Sequence, residues 1–150
     1  MKPTITWIVL ADGDQAKLFE NDGPGKGLHA LKDLMIEQEP LAARDIMADR
    51  PGRASNPSGP DSRAAVGYKT DPVDLRERRF LERLADMLET KRNEGAFQRL
   101  VIAAPPTALG ELRPVLSDGV RETILAEMPK DLTNVPMPKI VEHLDGVLAI

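Results

Sequence analysis

The first third of the chain alternates apolar runs with turn residues, a pattern typical of β-strands. A continuous apolar run over residues 5–11 (ITWIVLA) has the length and β-forming content of a strand buried on both faces. The Asp-Gly-Asp turn after it and the glycine-rich stretch over residues 21–27 separate two further runs with period 2, over residues 16–20 and 28–36. Three strands joined by short turns predict an antiparallel meander.

The second half alternates helical and strand patterns. Asp71-Pro72 predicts a helix start, and Gly95 predicts its end. Strands are predicted at 100–104 and 124–128, and helices at 107–116 and from Pro138 onward, with Pro114 splitting the former near Gly110. The apolar residues predicted to face inward on the first and last helices are Leu75, Phe80, Leu81, Leu84, Leu88, Ile140, Val141, Leu144 and Leu148.

This βββαβαβα order predicts an α/β fold. Helical crossovers make the last two strands parallel to the first, so the pattern gives a five-stranded mixed sheet in the order 3-2-1-4-5 with helices packed on it. That arrangement is the ribonuclease H-like architecture. We expect one domain over residues 1–150, with a long irregular insertion at about 40–70 where proline and glycine interrupt any period.

The amino-acid composition argues against several classes of function. The chain has 20 basic and 24 acidic side chains, so its net charge of -4 argues against nucleic-acid binding by charge alone. The absence of cysteine excludes disulfides and thiolate metal sites, and predicts a cytoplasmic protein. No leader or membrane segment is expected. Residues 40–70 differ from the rest, with five basic residues against three acidic ones.

The residues that could act in catalysis are better explained by a structural role in turns. Asp12 and Asp14 end the first strand, where a metal-dependent nuclease would place a carboxylate, but the fourth strand ends in Ala-Ala-Pro-Pro and offers no partner ligand. Both are weak candidates that also fit as turn residues. Lys26 lies in a glycine-rich stretch that lacks the spacing of a phosphate loop, so it too is a weak anion-binding candidate. We therefore expect no enzymatic activity, no metal and no cofactor.

Two other segments are candidates for binding an anion or a partner. Arg50 and Arg53 flank a Pro-Gly turn, so both guanidinium groups can face one phosphate or carboxylate, or can instead pair with acids on the protein's own surface. Lys130, Asp131 and Thr133 follow the fifth strand, at the sheet edge where open α/β sheets commonly bind ligands. Asp131 or Thr133 can equally cap a local turn.

Five blocks in fixed order carry a family resemblance. They are WIVLADGDQAKLFENDGPGKGL, DRPGR, TDP, FQRLVIAAPPTALGELRPVLS and EMPKDLT, and together they resemble the bacterial host attachment protein family, described as required for attachment to host cells. Members look distantly similar to the middle domain of peptide-chain release factors, which implies a ribonuclease H-like topology. That domain carries a Gly-Gly-Gln tip, whereas this sequence has no Gly-Gly pair, so the resemblance does not carry over hydrolytic peptide release.

Three functions follow as expectations. The first is a non-enzymatic cytoplasmic binding protein that engages RNA, the ribosome or a translation-associated partner through Arg50 and Arg53. The second is a protein-interaction factor needed for attachment to host cells. The third, and least favoured, is a phosphate-ester hydrolase assembled from Asp12, Asp14 and Lys130. The sequence predicts no membrane partner and leaves the oligomeric state open.

Overall fold

The computed structural model describes residues 4–37 and 72–150, and residues 72–74 by their backbone only. The strands in these ranges are β1 Thr6–Ala11, β2 Gln15–Asn21, β3 His29–Ala30, β4 Ile36–Glu37, β5 Arg99–Ala103 and β6 Ile124–Met128. The helices are α1 Pro72–Asn93, α2 Pro106–Leu112, α3 Asp118–Arg121 and α4 Met137–Leu144. Two single 3-10 turns lie at Lys32–Leu34 and Arg113–Val115. The insertion predicted at about 40–70 lies outside the described residues.

One mixed sheet organises the described chain, as expected for an α/β protein. Its strands lie in the order β3-β2-β1-β5-β6, and β4 also pairs with β2. β1 is antiparallel to β2, whereas β1, β5 and β6 are mutually parallel neighbours. The predicted meander and the two parallel crossover strands are therefore both present.

β1 lies at the centre of the sheet, and every one of its side chains is buried. Trp7, Val9 and Ala11 pack on the face covered by α1, α2 and α3. Ile8 and Leu10 pack on the opposite face, where Ile140 and Leu144 of α4 cover them. A strand between two helical layers needs apolar residues at every position, which explains the unbroken apolar run.

The sheet has six strands, so the prediction of five was wrong. The period-2 run over residues 28–36 is two short strands, β3 and β4, separated by the 3-10 turn. Leu31 and Leu34 both pack on the cluster beneath α1. Residues three apart lie on one side of a 3-10 turn but on opposite sides of a strand, so burying both on one face breaks the strand.

α1 matches its prediction except at its first turn. Phe80, Leu81, Leu84 and Leu88 are buried, whereas Leu75 is 40% exposed. Leu75 precedes Leu84 by nine residues, which is two and a half helical turns, so the two side chains leave opposite sides of the helix. The prediction that Leu75 faces inward was wrong for this geometric reason.

The shorter helices show three further differences. The break that Pro114 was predicted to cause near Gly110 falls at Leu112, after which Arg113–Val115 continues as a 3-10 turn. α3 was not predicted, and its first turn is capped by the Ser117 hydroxyl, which accepts a hydrogen bond from the Val120 N–H at 3.1 Å. In α4, Ile140 and Leu144 are buried as expected, but Val141 is 37% exposed because the covered stripe follows the four-residue spacing.

Candidate functional site

The carboxyl ends of the three parallel strands meet at one edge of the sheet, and polar residues follow two of them. β1 is followed by Asp12, and β6 by the loop that contains Asp131 and Thr133. β5, between them, is followed by Ala104 and Pro105. We call Asp12, Asp131 and Thr133 the carboxyl-edge cluster, because a hydroxyl lies beside both carboxylates.

Asp12 closes the turn between β1 and β2. Its Oδ1 accepts hydrogen bonds from the backbone N–H groups of Asp14 at 2.7 Å and Gln15 at 2.8 Å. Its own N–H donates to the Gln15 carbonyl at 3.0 Å. The side chain thereby accepts hydrogen bonds from two backbone N–H groups of its own turn, as aspartate commonly does.

Thr133 connects the two carboxylates. Its hydroxyl donates to Asp131 Oδ1 at 2.5 Å, and its backbone N–H donates to the same oxygen at 3.0 Å. The hydroxyl oxygen also lies 3.4 Å from Asp12 Oδ2. A threonine hydroxyl has one proton, so the short bond to Asp131 is the strong one and the contact with Asp12 is weak. Thr133 itself is fully buried, whereas Asp131 is exposed, and the contact between Thr133 and Asp12 joins residues 121 apart in sequence.

Two other described elements reach the same edge. Glu37, in β4, pairs with Gln15 at the start of β2. The Glu77 side chain of α1 lies against Gly13, where an added Cβ would stand 2.6 Å from the Glu77 Cδ. A side chain at position 13 would require the Glu77 side chain to shift.

The predicted site residues divide into three groups. Asp12, Asp131 and Thr133 come together, while Asp14 and Lys130 lie exposed at the same edge. Lys26 is exposed in the turn after β2, at the opposite end of the sheet, because Asn21 pairs with the first residue of β1. The structure does not bring it to the cluster. Arg50 and Arg53 lie outside the described residues.

The amino end of the sheet holds a second group of ionisable side chains. Glu20 stands in register between Trp7 of β1 and His29 of β3, and its Oε2 accepts a 3.2 Å hydrogen bond from the Trp7 indole N–H. Asp22 Oδ1 is buried and receives no hydrogen bond from the described residues. Burial raises the pKa of Glu20, and the neighbouring Asp22 carboxylate raises it further, by accepting a hydrogen bond from the protonated Glu20 carboxyl and by repelling its ionised form.

Sequence reasoning missed a groove along the exposed side of α1. Arg79, Glu82, Arg83, Asp86 and Val115 line it, between α1 and the 3-10 turn that follows α2. The signal was present in the sequence, since the four charged residues occupy the helical positions opposite the apolar stripe. Only the apolar stripe entered the prediction.

Two further observations concern metal ions and membranes. Among residues 4–37 and 72–150, no three histidine, cysteine, aspartate or glutamate side chains are placed to hold a metal ion together. In the same ranges, no helix has the length and apolar character needed to cross a membrane.

The fold and this edge define a mixed α/β protein with a polar cluster beyond its parallel strands. Residues 7–144 match the family model described as "Protein required for attachment to host cells", so the chain belongs to the host attachment family. Among solved structures, the archaeal translation termination factor aRF1 is similar with a TM-score of 0.48 and 12% identity, over 95% of this chain and 38% of that one. The chain thus spans well under half the length of that factor. No curated protein sequence matches.

Proposed function

We propose that this chain is a non-enzymatic cytoplasmic binding protein that engages RNA or a translation-associated partner at the carboxyl edge of its sheet. The observation that carries the proposal is the carboxyl edge itself, where polar residues follow β1 and β6 and Lys130 is exposed. Arg50 and Arg53 lie outside the described residues, and they enter the proposal from the sequence alone, because guanidinium groups are well suited to phosphate. The cysteine-free sequence supports the cytoplasmic location.

The non-enzymatic part of the proposal rests on how the carboxylates are used. Asp12 Oδ1 is occupied by two backbone N–H groups, and Asp131 Oδ1 by the hydroxyl and N–H of Thr133. The strand between them ends in alanine and proline, which supply no ligand. We also propose that the sheet has the ribonuclease H-like architecture, supported by the antiparallel β1–β2 pair beside three parallel strands.

RNA binding is tested by charge reversal in the segment that holds the two arginines. The Arg50→Glu/Arg53→Glu variant is compared with Arg44→Glu/Arg63→Glu, which changes the same net charge in the same segment. We expect the first variant to weaken binding to single-stranded RNA and to lower the slope of log affinity against log salt by about 2, one for each lost phosphate contact. Equal weakening in both variants, or no salt-dependent RNA binding by the unaltered protein, would contradict the proposal.

A protein-interaction role in attachment to host cells is the second candidate, and the family match favours it. Its test replaces the gene in the source organism with the same two charge-reversal variants and measures adhesion to host cells. Loss of adhesion without loss of RNA binding in the purified protein would support this candidate over the first. A photo-crosslinker at position 130 then shows whether the partner at this edge is a polypeptide or a nuclease-sensitive species.

The third candidate is a phosphate-ester hydrolase, and it must be tested because the carboxyl-edge cluster contains two carboxylates. The purified protein is incubated with a phosphomonoester and a phosphodiester panel in Mg²⁺ or Mn²⁺. We expect no turnover. A metal-dependent activity that disappears in Asp12→Ala and survives in Lys26→Ala would show that Asp12 acts in catalysis and not only in the turn.

A further inference from the structure

The amino end of the sheet carries a row of polar side chains on one face. Trp7 of β1, Glu20 of β2 and His29 of β3 lie directly opposite one another in neighbouring antiparallel strands. Side chains at opposed positions of antiparallel strands project from the same face of the sheet. Trp7 packs in the cluster beneath α1, so the row lies on the face that this helix covers.

Asp22 lies beside this row. It follows the last residue of β2 and is two residues beyond Glu20, a spacing that places both carboxyl groups on the same side of the chain. Its Oδ1 is buried and accepts no hydrogen bond within the described part of the chain, which is an unfavourable state for a carboxylate oxygen. The Glu20 carboxyl is close enough to bond with Asp22, and it has a proton to donate only when it is not ionised.

The Trp7 indole holds Glu20 from the other side. Its N–H donates to Glu20 Oε2 at 3.2 Å, and its ring packs on Phe97 with 4.8 Å between ring centres. An ionised acceptor makes this bond stronger, so the indole favours the carboxylate form of Glu20. Burial and Asp22 raise the pKa of Glu20, whereas the indole and His29 lower it, and the net change is a rise.

The groups that act on Glu20 can be named element by element. β1 contributes the uncharged indole, β3 contributes His29, and the turn after β2 contributes Asp22. On the same face, α1 contributes apolar side chains to the cluster that contains Trp7. Within the described residues, Asp22 and His29 are therefore the ionisable groups that influence Glu20.

We infer that Glu20 and Asp22 share one proton and form a pH-sensitive latch between the sheet and the turn that follows β2. With the proton present, Glu20 donates a hydrogen bond to the Asp22 carboxylate and holds that side chain against the sheet. Once the proton has left, Glu20 keeps its bond to the indole, and the two like charges repel, so that Asp22 turns toward water. The adjoining Gly23 N–H donates to Asn21 Oδ1, so this movement reaches the backbone of the turn.

This inference does not depend on the proposed binding at the carboxyl edge, which lies at the opposite end of the sheet. An NMR titration of the full-length chain, labelled with ¹⁵N and taken from about pH 3 to about pH 8, tests it. The chain has one tryptophan, so a single indole N–H signal reports on Glu20. The Gly23 amide signal reports on the turn, and circular dichroism checks that each variant is folded.

We expect the indole and Gly23 signals of the unaltered protein to shift with one common midpoint above 4.5, the ordinary pKa of Glu20. The indole signal should move to lower frequency on acidification, because its hydrogen bond to a protonated carboxyl is weaker. In Glu20→Gln both signals should lose this step, which assigns it to the Glu20 proton and not to Asp22 alone.

Three further variants test the partners of Glu20. Asp22→Asn should lower the midpoint toward 4.5, because it removes the like charge and the ionised acceptor. His29→Gln should raise the midpoint, because the imidazolium charge that favours ionised Glu20 is lost. Asp14→Asn removes an exposed carboxylate at the other end of the sheet and should leave the midpoint unchanged.

Four results would overturn the inference. They are a midpoint at or below 4.5 in the unaltered protein, different midpoints for the indole and Gly23 signals, an unchanged midpoint in Asp22→Asn, and a step that persists in Glu20→Gln. The first and third would show that no proton is shared, the second that the turn does not follow Glu20, and the fourth that another group titrates.

Discussion

The two ends of the sheet are both held by polar side chains, but over very different sequence distances. At the amino end, the buried Asn21 donates from Nδ2 to the Gly27 carbonyl at 2.9 Å, and its Oδ1 accepts from the Gly23 N–H at 3.1 Å. These partners are two and six residues away. At the carboxyl end, Thr133 lies beside Asp12, which is 121 residues away.

This difference separates a turn that its own residues define from a cluster that the whole fold assembles. The amino-end turn needs only Asn21 and glycines that adopt positive φ, and Gly27 has a φ of +73°. The carboxyl-edge cluster forms only after the parallel strands have paired through β5. The predictions below therefore test each end in turn.

The largest loss is expected at the carboxyl end. Asp12→Ala removes an ionised acceptor from two backbone N–H groups, and bonds of this kind contribute about 1.5–3 kcal/mol. We expect the free energy of unfolding to fall by about 2–3 kcal/mol in urea denaturation. Asp14→Ala removes an exposed carboxylate from the same turn and should change stability by less than about 0.5 kcal/mol. Equal effects would show that the Asp12 side chain does not hold this end of the sheet.

Asn21→Ala should cost less, because both partners lie in an otherwise exposed turn. The substitution leaves the Gly27 carbonyl and the Gly23 N–H without their side-chain partner, and we expect a loss of about 1–2 kcal/mol in the same measurement. Lys26→Ala is the matched control, since Lys26 is exposed in this turn. A neutral Asn21→Ala would mean that the glycines alone define the amino-end turn.

Gly27→Ala addresses those glycines directly. Nothing lies within 4 Å of an added Cβ at this position, so the cost is purely that of the positive φ, about 1 kcal/mol. Gly110→Ala provides a control of opposite sign. Its site in α2 is equally open but helical, and alanine there should raise stability by up to about 1 kcal/mol. Stabilisation by both substitutions would contradict the role assigned to Gly27.

The smallest effect is a pH dependence at the amino end. The pKa of Glu20 is raised above its ordinary value of 4.5. Between that ordinary value and the raised one, the folded state therefore keeps a proton on Glu20 that the unfolded state has released. The stability that this proton contributes is fully present below about pH 4.5 and is lost as pH rises through the raised pKa. Glu20→Gln should remove this slope, as measured by thermal unfolding at a series of pH values. A slope unchanged in Glu20→Gln would contradict the assignment to Glu20.

Particular residues show which features of the fold the sequence patterns predicted correctly. The run over residues 5–11 predicted a strand buried on both faces, and β1 is such a strand, because two covered faces demand apolar residues at every position. Periodicity failed where neighbouring elements decided the outcome. Residues 28–36 carry a period-2 pattern, yet Leu31 and Leu34 both pack on the cluster beneath α1, and the chain forms a 3-10 turn there.

The candidate site could also be predicted only in part. The positions of Asp12 and of Asp131 after strands could be read from the sequence, since strands and turns follow local apolar periods and turn residues. That these residues share one hydroxyl could not, because their proximity depends on the order in which β1, β5 and β6 pair. The groove beside α1 likewise could not be predicted, because it depends on Val115 packing next to the charged residues of that helix.

The sequence by itself determined most of the strands and helices, where most turns fall and most of the apolar face of each long helix, because these follow from contacts among near neighbours. Only the tertiary structure decided which polar residues meet at the carboxyl edge and which charges remain exposed along α1. The physical reason is that strand pairing and helix packing join residues far apart in the chain, and no local pattern encodes that choice.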